Sequence, residues 1–111
     1  CPVITVGEGV VASMAAVILA CGDHRQVYRH TQVLIHQLMG GTGMAQQTDI
    51  EIVAQHTAAM RAELDELLAE HGNLSAQEFH ELTERDCWCN ARRALELGLV
   101  DEVIAPGKKA L

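Results

Sequence analysis

The stretch PVITVGEGVVASMAAVILACG, residues 2–22, is the part of the chain that most directly indicates the fold. Its β-branched beginning, Pro2 to Val6, predicts a strand, and Gly7-Glu8-Gly9 predicts a tight turn after it. Residues 13–21 are rich in helix formers and apolar on every side, and Gly22 follows them at a position typical of a helix C-terminus. The stretch therefore predicts a strand, a glycine turn and a buried helix that begins at its serine.

The composition is that of one aliphatic domain. The chain has 111 residues, of which 49% are hydrophobic and only 3% aromatic. This length suits one domain of ordinary size, so residues 1–111 are predicted to form a single α/β domain in which strands are mixed with helices. With one Phe, one Trp and one Tyr, the chain has almost none of the stacking platforms that bind single-stranded nucleic acids.

Charge and hydropathy argue against nucleic acid and membrane partners. Fifteen acidic residues and eight Lys and Arg give a formal charge of −7, which repels phosphate backbones and anionic lipid headgroups. The longest apolar stretch, Val10 to Cys21, is shorter than the roughly 20 residues that a membrane-spanning helix needs. The first residues show no basic segment and no cleavage motif, so no signal peptide is visible. The cysteine usage makes a reducing, cytoplasmic setting the expectation.

The cysteines give no sign of a disulfide framework or a metal site. Cys1, Cys21, Cys87 and Cys89 contain no CxxC pair and no conventional zinc spacing. The CxC at 87–89 could bind a metal together with a histidine, but free thiols, packed or exposed, are the simpler interpretation. No metal and no cofactor are therefore predicted.

Further strands and one long helix are predicted from hydrophobic patterns. Short strands are expected at 26–28, 31–36 and 99–104, with a polar loop at 23–25. Residues 48–51 match a capping box, which predicts a long helix from Thr48 to about Glu70. Apolar residues recur along this helix at three- and four-residue steps, so it is expected to be amphipathic.

Two shorter helices are predicted from their caps. Ser75 to Glu78 form a second capping box, which predicts a helix through Leu82. Asn90 can cap a further helix from Ala91 to Leu97. Residues 106–109 are expected to form a frayed tail.

Ser13 is the first candidate for chemistry. A serine directly after a strand-to-helix turn has an exposed hydroxyl, and the helix N-terminus presents backbone N–H groups to a developing oxyanion. Serine is also common at this position as a structural helix cap. The placement alone leaves both interpretations open.

His36 and Asp86 are the residues that could activate that hydroxyl. A serine becomes nucleophilic only beside a base, and histidine is the side chain whose ordinary pKa lies near neutrality. His36 ends an apolar strand ahead of a glycine-rich loop, where the sites of α/β proteins gather, whereas the other five histidines are expected to be solvated. Asp86 lies between two predicted helices, where it could orient an imidazole or be a solvated loop carboxylate.

Four ordered blocks of sequence resemble the proteolytic subunit of the ATP-dependent Clp protease, over nearly the whole chain. Residues 9–16, GVVASMAA, are similar to that family's nucleophile segment G-x-A-A-S-M-G-A, and residues 33–37, VLIHQ, to its histidine segment V-M-I-H-Q. Residues 39–52 resemble the region of its handle helix. Residues 84–104 resemble the segment that holds the third triad residue and the ending A-x-x-Y-G-L-I-D-x-V-I.

The resemblance implies an α/β ClpP/crotonase-like fold with a handle region at residues 40–72. It implies Ser13 as nucleophile, His36 as general base and acid, Asp86 as the carboxylate that fixes the imidazole tautomer, and the backbone amide of Met14 as an oxyanion donor. It further implies a serine endopeptidase that degrades unfolded polypeptides inside a homo-oligomer of stacked heptameric rings, with an AAA+ unfoldase as partner.

The chain also departs from the family pattern. Ala15 and Leu38 stand where the family has a glycine and a proline. The family's upstream half, with a Gly-Gly motif that supplies a second oxyanion donor, is not among these residues. They are therefore expected to be the C-terminal portion of such a subunit, or a truncated relative, and to be nearly inactive in isolation. Two alternatives stay open: a catalytically silent ring subunit, and a crotonase-type acyl-CoA enzyme, which would not need the three triad positions together.

Overall fold

The computed structural model describes residues 1–105, in which short strands are mixed with helices. The elements are β1 Ile4–Gly7, β2 Val10–Ala12, α1 Met14–Ala20, β3 His24–Tyr28, β4 Gln32–Ile35, α2 Gln47–His71, α3 Ala76–Leu82, β5 Cys87–Asn90, α4 Ala91–Glu96 and β6 Glu102–Ile104. The predicted α/β class is confirmed. The tail predicted at 106–109 lies outside the described residues.

The strands form two three-stranded sheets. In the first sheet β3 lies between β1 and β6, and all three strands are parallel. In the second sheet β4 lies between β2, which is parallel to it, and β5, which is antiparallel. Parallel neighbours need a crossover connection. Both the β1-to-β3 and the β2-to-β4 connections contain α1, so this one helix serves both sheets.

The core is aliphatic, as the composition predicts. Its largest fully buried side chains include Val27, Val33, Phe79, Leu97 and Leu99. The ring of Phe79 lies against the end of α2, where a Cβ on Gly72 would come within 2.7 Å of it. Glycine is needed after α2 because a larger residue would displace this ring.

A buried arginine joins three parts of the chain. Arg25 of β3 donates to the two carboxylate oxygens of Asp101 at 2.7 and 3.0 Å, and to the carbonyl oxygens of Ala20 and His71 at 3.0 and 2.9 Å. Those carbonyls lie at the ends of α1 and α2, where helices leave carbonyl groups without internal partners. The prediction of a polar loop at 23–25 is wrong, because β3 begins at His24. Arg25 is buried in this strand, where it links the ends of α1 and α2 to Asp101.

The long helix is confirmed, but its predicted start is wrong. It spans Gln47–His71, and the residue at its cap position is Gln46, whose side chain makes no capping bond. Thr48 therefore lies inside the helix. Glu51, the acceptor that the predicted capping box needs, instead accepts a hydrogen bond from the Gln47 side chain one turn earlier.

The two shorter helices begin where the sequence predicts. The Ser75 hydroxyl accepts from the Glu78 amide at 3.1 Å, and the Glu78 carboxylate accepts from the Ser75 amide at 3.2 Å. The Asn90 side chain accepts from the Arg93 amide at 2.8 Å. Gly98 follows α4 with a φ of 74°, in the left-handed region that favours glycine.

Three further features differ from the sequence-based expectation. α1 buries one face only, and Ile18 on its other face is 62% exposed. The sequence does not predict β2 or β5, since three or four residues show no clear period. The last strand begins at Glu102 rather than Leu99, because Leu99 and Val100 are buried ahead of it in an irregular segment.

Candidate active site

Ser13 lies between β2 and α1 in an unusual backbone conformation. Its φ is 59° and its ψ is −128°. A positive φ strains a residue that carries a side chain, and such strain persists where the surrounding structure holds the backbone in place. The Ser13 amide donates to the Leu34 carbonyl at 3.0 Å, and the Ser13 side chain makes no capping hydrogen bond to α1. The Ser13 hydroxyl is therefore not used to cap α1.

Parallel pairing of β2 and β4 brings His36 to Ser13. Ala12 lies opposite Leu34 in the register, so the two strands end at the same edge of the second sheet. Ser13 directly follows the first of these strands and His36 follows the second. The Ser13 hydroxyl is hydrogen-bonded to Nε2 of His36 there. The two residues that the sequence puts at element boundaries are thus in contact.

The other ring nitrogen of His36 determines the tautomer. Nδ1 lies 2.6 Å from the carbonyl oxygen of Gln37, which can only accept, so Nδ1 carries the proton. Nε2 then directs its lone pair at the Ser13 hydroxyl, which donates. A neutral imidazole in this tautomer is the form that can take a hydroxyl proton.

Asp86 lies near this pair without bonding to it. It is exposed in the loop between α3 and β5, and it borders a concavity of about 610 Å³ together with His36 and Gln37. Within residues 1–105 no hydrogen bond joins Asp86 to the imidazole, whose Nδ1 is engaged by Gln37. The role of Asp86 stays a prediction.

The first amide of α1 belongs to the residue that directly follows Ser13. Met14 is the first residue of the helix, and the opening amides of a helix have no acceptor within it. The partial positive charge of the helix N-terminus also favours a negative group at this point. This position suits the predicted oxyanion donor, whose role likewise stays a prediction.

A cavity of about 320 Å³ opens beside Ser13 and His36. Its walls are α1, the segment after β4 and the C-terminal half of α2. They are mostly apolar, and the lining residues are Ser13, Met14, Val17, Ile35, His36, Gln37, Leu38, Met39, Arg61, Leu64, Asp65, Leu68 and Thr83. A largely apolar pocket with a small number of polar groups is the usual form of a ligand site.

Arg61 connects α2, through hydrogen bonds, to the segment that carries His36. Its guanidinium donates to the Gln37 side-chain oxygen at 2.8 Å, to the His80 carbonyl at 3.0 Å and to the Glu84 carboxylate at 3.1 Å. Gln37 also donates to the Glu84 carbonyl at 2.9 Å. Because the Gln37 carbonyl holds Nδ1, this network positions the imidazole. The sequence does not indicate this network, because Arg61 is about twenty residues from each of its partners. In the sequence, Arg61 has the pattern of a solvated residue on an amphipathic helix.

Two histidines expected to be solvated have acidic partners. Nδ1 of His80 lies 2.7 Å from the carboxylate of Asp65, which is buried in α2. Nε2 of His24 lies 3.0 Å from the carboxylate of Glu102. Hydrogen bonds from Gln26 and His24 hold the pKa of Glu102 below its ordinary value. These pairs join α2 to α3 and β3 to β6.

Within the described part of the chain there is neither a group of metal ligands nor a membrane-spanning helix. Among residues 1–105, no three His, Cys, Asp or Glu side chains are grouped so that they could hold a metal ion. No helix in that range has the length and apolar character needed to cross a membrane.

Comparison with known proteins agrees with the resemblance to the Clp protease family. The family model described as Clp protease matches residues 1–107. A protein of Streptococcus sanguinis named "ATP-dependent Clp protease proteolytic subunit" is 41% identical over 103 residues, which are 90% of this chain and 53% of that protein. Proteins of the same name from Lactococcus lactis subsp. lactis and Streptococcus pneumoniae are 40% and 41% identical, and the matches cover 90% and 91% of this chain and 52% and 53% of those proteins.

The chain spans about half the length of the curated relatives it matches. The family model nevertheless extends over every element that the structure describes, from β1 to β6. The mixed α/β architecture with one long helix agrees with the ClpP-like fold that the resemblance implies. The chain therefore belongs to the Clp protease family.

Proposed function

We propose that the chain contributes the catalytic residues of a serine-type endopeptidase of the Clp type. The observation that carries this proposal is the hydrogen bond between the Ser13 hydroxyl and Nε2 of His36, with the Nδ1 proton directed at Gln37. A hydroxyl against the lone pair of a neutral imidazole is the arrangement in which serine acts as a nucleophile. Family membership and the relatives' name, proteolytic subunit, support the same function.

The proposed reaction passes through an acyl-enzyme. Oγ of Ser13 attacks the carbonyl carbon of a peptide bond while its proton passes to Nε2 of His36. The oxyanion that forms accepts a hydrogen bond from the Met14 amide at the start of α1. The C–N bond then breaks, and the imidazolium gives its proton to the leaving amine. Water activated by the same imidazole hydrolyses the ester on Ser13.

Asp86 is the proposed carboxylate of this site. The Gln37 carbonyl keeps the proton on Nδ1 but carries no net charge, whereas a nearby carboxylate stabilises the imidazolium. Asp86 borders the same concavity as His36 and is exposed in the loop directly before β5, which supports this assignment.

The proposed substrates are unfolded polypeptides, and the proposed working form is a cytoplasmic homo-oligomer of stacked heptameric rings supplied by an AAA+ unfoldase. The relatives' name describes a subunit of an ATP-dependent protease, which supports an assembly and an ATPase partner. α2 supports association as well, because Ile50, Val53 and Met60 lie on one face of this helix and are 39–47% exposed. The same stripe is covered by the domain itself further along, at Leu64 and Leu68.

Labelling of the complete protein with a fluorophosphonate probe tests the proposed function. The probe reacts with activated serines, and residues 1–111 contain two serines, Ser13 and Ser75. We expect mass spectrometry to find the adduct on Ser13, and we expect His36→Gln to remove it. Ser75 is the internal control, because its hydroxyl is engaged by the Glu78 amide. Label on Ser75, or on neither serine, would contradict the peptidase and favour a catalytically silent subunit.

A further inference from the structure

Cys87 and Cys89 bring their sulfur atoms to within 3.7 Å of each other. Both thiols are free, and they occupy the first and third positions of β5, so their side chains leave the same face of the strand. The register places them opposite Ile35 and Val33 of β4, which are buried. Trp88 between them faces the other way and is exposed. The two thiols form a close pair on the core side of the second sheet.

The two thiols differ in their access to solvent. Cys89 is fully buried, whereas Cys87 is partly exposed. Burial, together with the neighbouring Cys87, raises the pKa of the Cys89 thiol to about 12. Oxidation of a thiol begins at an accessible sulfur in its thiolate form. Cys87 is therefore the thiol that meets an oxidant first, with Cys89 directly behind it.

We propose that Cys87 and Cys89 are a dithiol site that hydroperoxides oxidise to an intramolecular disulfide. In the first step the Cys87 sulfur attacks a peroxide oxygen and the O–O bond breaks, which gives a sulfenic acid on Cys87 and, from hydrogen peroxide, one water. In the second step the Cys89 sulfur attacks the Cys87 sulfur, the S–S bond forms and the S–O bond breaks. The departing hydroxide takes the Cys89 proton and leaves as water. Two electrons pass from the two thiols to one peroxide. A dithiol reductant reduces the disulfide back to the two thiols and is itself oxidised to a disulfide.

The disulfide acts on β5 and, through it, on the candidate active site. Residues two apart in a strand have Cα atoms about 6.6 Å apart. Disulfides hold Cα atoms at roughly 4.4–6.8 Å, most often below 6 Å. Because 6.6 Å is near the upper end of that range, a bridge between Cys87 and Cys89 is expected to shorten β5 at Trp88 and to weaken its pairing with β4. Since β5 begins directly after Asp86 and β4 ends directly before His36, oxidation is expected to displace both residues.

Peptide mass spectrometry of the complete protein, treated with hydrogen peroxide and then with a thiol alkylating reagent, tests the dithiol site. Trypsin cleaves after Arg85 and Arg92, so the peptide of residues 86–92 contains this pair and neither Cys1 nor Cys21. We expect this peptide to lose two hydrogen atoms and to escape alkylation. Dithiothreitol is expected to reverse both changes.

Variants in which one cysteine at a time is replaced supply the controls. Cys87→Ser and Cys89→Ala each remove one partner and are expected to abolish the loss of two hydrogen atoms, whereas Cys21→Ser, outside β5, is expected to leave it unchanged. Cys87→Ser is the principal variant, because the partly exposed position accommodates a hydroxyl. Oxygen addition to Cys87 without a disulfide, or a disulfide to Cys1 or Cys21 instead, overturns the proposal.

The effect on the active site rests on the proposed function and has its own readout. Fluorophosphonate labelling of Ser13 is expected to become roughly 10²-fold slower in the oxidised protein, the size of loss that misplacing a reacting group brings. Reduction is expected to restore the rate, and Cys87→Ser to show the same rate with and without peroxide. A disulfide that leaves Ser13 labelling unchanged overturns the coupling. If Ser13 labels in neither state, the proposed function fails, while the peptide mass still decides the dithiol site.

Discussion

Nδ1 of His36 donates a 2.6 Å hydrogen bond to the main-chain carbonyl of Gln37, the residue that follows it. The Gln37 side chain is held in turn by Arg61 of α2 at 2.8 Å. In a Ser-His-Asp triad one carboxylate both fixes the tautomer and stabilises the imidazolium. In this chain a peptide carbonyl fixes the tautomer, so mutation can separate the two roles.

Asp86→Asn is expected to lower peptide turnover by roughly 10²-fold, which corresponds to about 2.7 kcal/mol in the activation barrier. The loss is smaller than the roughly 10⁴-fold known for triads in which an amide enforces the wrong tautomer, because Gln37 keeps the proton on Nδ1. Steady-state kinetics of the complete protein on a fluorogenic peptide measure the change. Glu81→Gln, an exposed change in α3, is the control. A loss of the full 10⁴-fold would mean that Asp86 itself holds Nδ1 in the working enzyme.

The two serines at helix starts are expected to respond in opposite ways to alanine. Ser75→Ala removes a capping bond and is expected to lower the free energy of unfolding by about 1 kcal/mol, a shift in Tm of roughly 4 °C. Ser13→Ala removes no capping bond and is expected to leave Tm nearly unchanged while abolishing activity. Thermal unfolding and peptide cleavage, measured on both variants, check this contrast. A destabilised Ser13→Ala would mean that the hydroxyl of Ser13 has a structural role.

Asp101→Asn is expected to destabilise the fold by roughly 3 kcal/mol, because it leaves the buried Arg25 guanidinium without its anionic partner. Urea unfolding followed by circular dichroism measures the loss. Glu102→Gln, at the adjacent exposed position paired with His24, is the matched control and is expected to change the unfolding midpoint very little. Equal effects of the two changes would refute the anchoring role of Arg25.

The Asp101 carboxylate also predicts a loss of folding stability in acid. Hydrogen bonds from Arg25 hold the pKa of Asp101 at about 2, below its ordinary 3.8. Since the unfolded chain binds this proton at higher pH than the folded chain, the stabilisation is complete above about pH 4 and is lost as the pH falls toward about 2. Urea midpoints measured across this interval are expected to fall more steeply in the unmodified protein than in Asp101→Asn. Parallel profiles would assign the acid sensitivity to other groups.

The exposed face of α2 predicts association. Ile50→Glu combined with Val53→Glu is expected to shift the complete protein toward smaller species in light scattering at micromolar concentration, because it places charges in an apolar contact. Gln55→Glu, on the opposite face of the helix, is the control and is expected to leave the measured mass unchanged. A monomeric mass for the unmodified protein would contradict both the handle assignment and the ring.

The predictions that succeed from sequence are those whose signals are local. The caps at Ser75 and Asn90 join residues three positions apart, so a four-residue pattern suffices to recognise them. The capping box at Thr48 fails because a competing side-chain pair, Gln47 with Glu51, lies in the same turn. β2 and β5 are too short to show a period and form because β4 lies between them.

The sequence by itself determined the α/β class, the aliphatic core, the long helix, the caps of α3 and α4, and the two residues, Ser13 and His36, at the centre of the candidate site. Only the tertiary structure decided that these two side chains meet, that Gln37 rather than Asp86 engages Nδ1, and that Arg61 supports Gln37. The physical reason is the separation along the chain of the residues that interact. Caps and helical periods arise from neighbours three or four residues apart, whereas Ser13 and His36 are 23 residues apart and meet through parallel strand pairing, which depends on the packing of the whole chain.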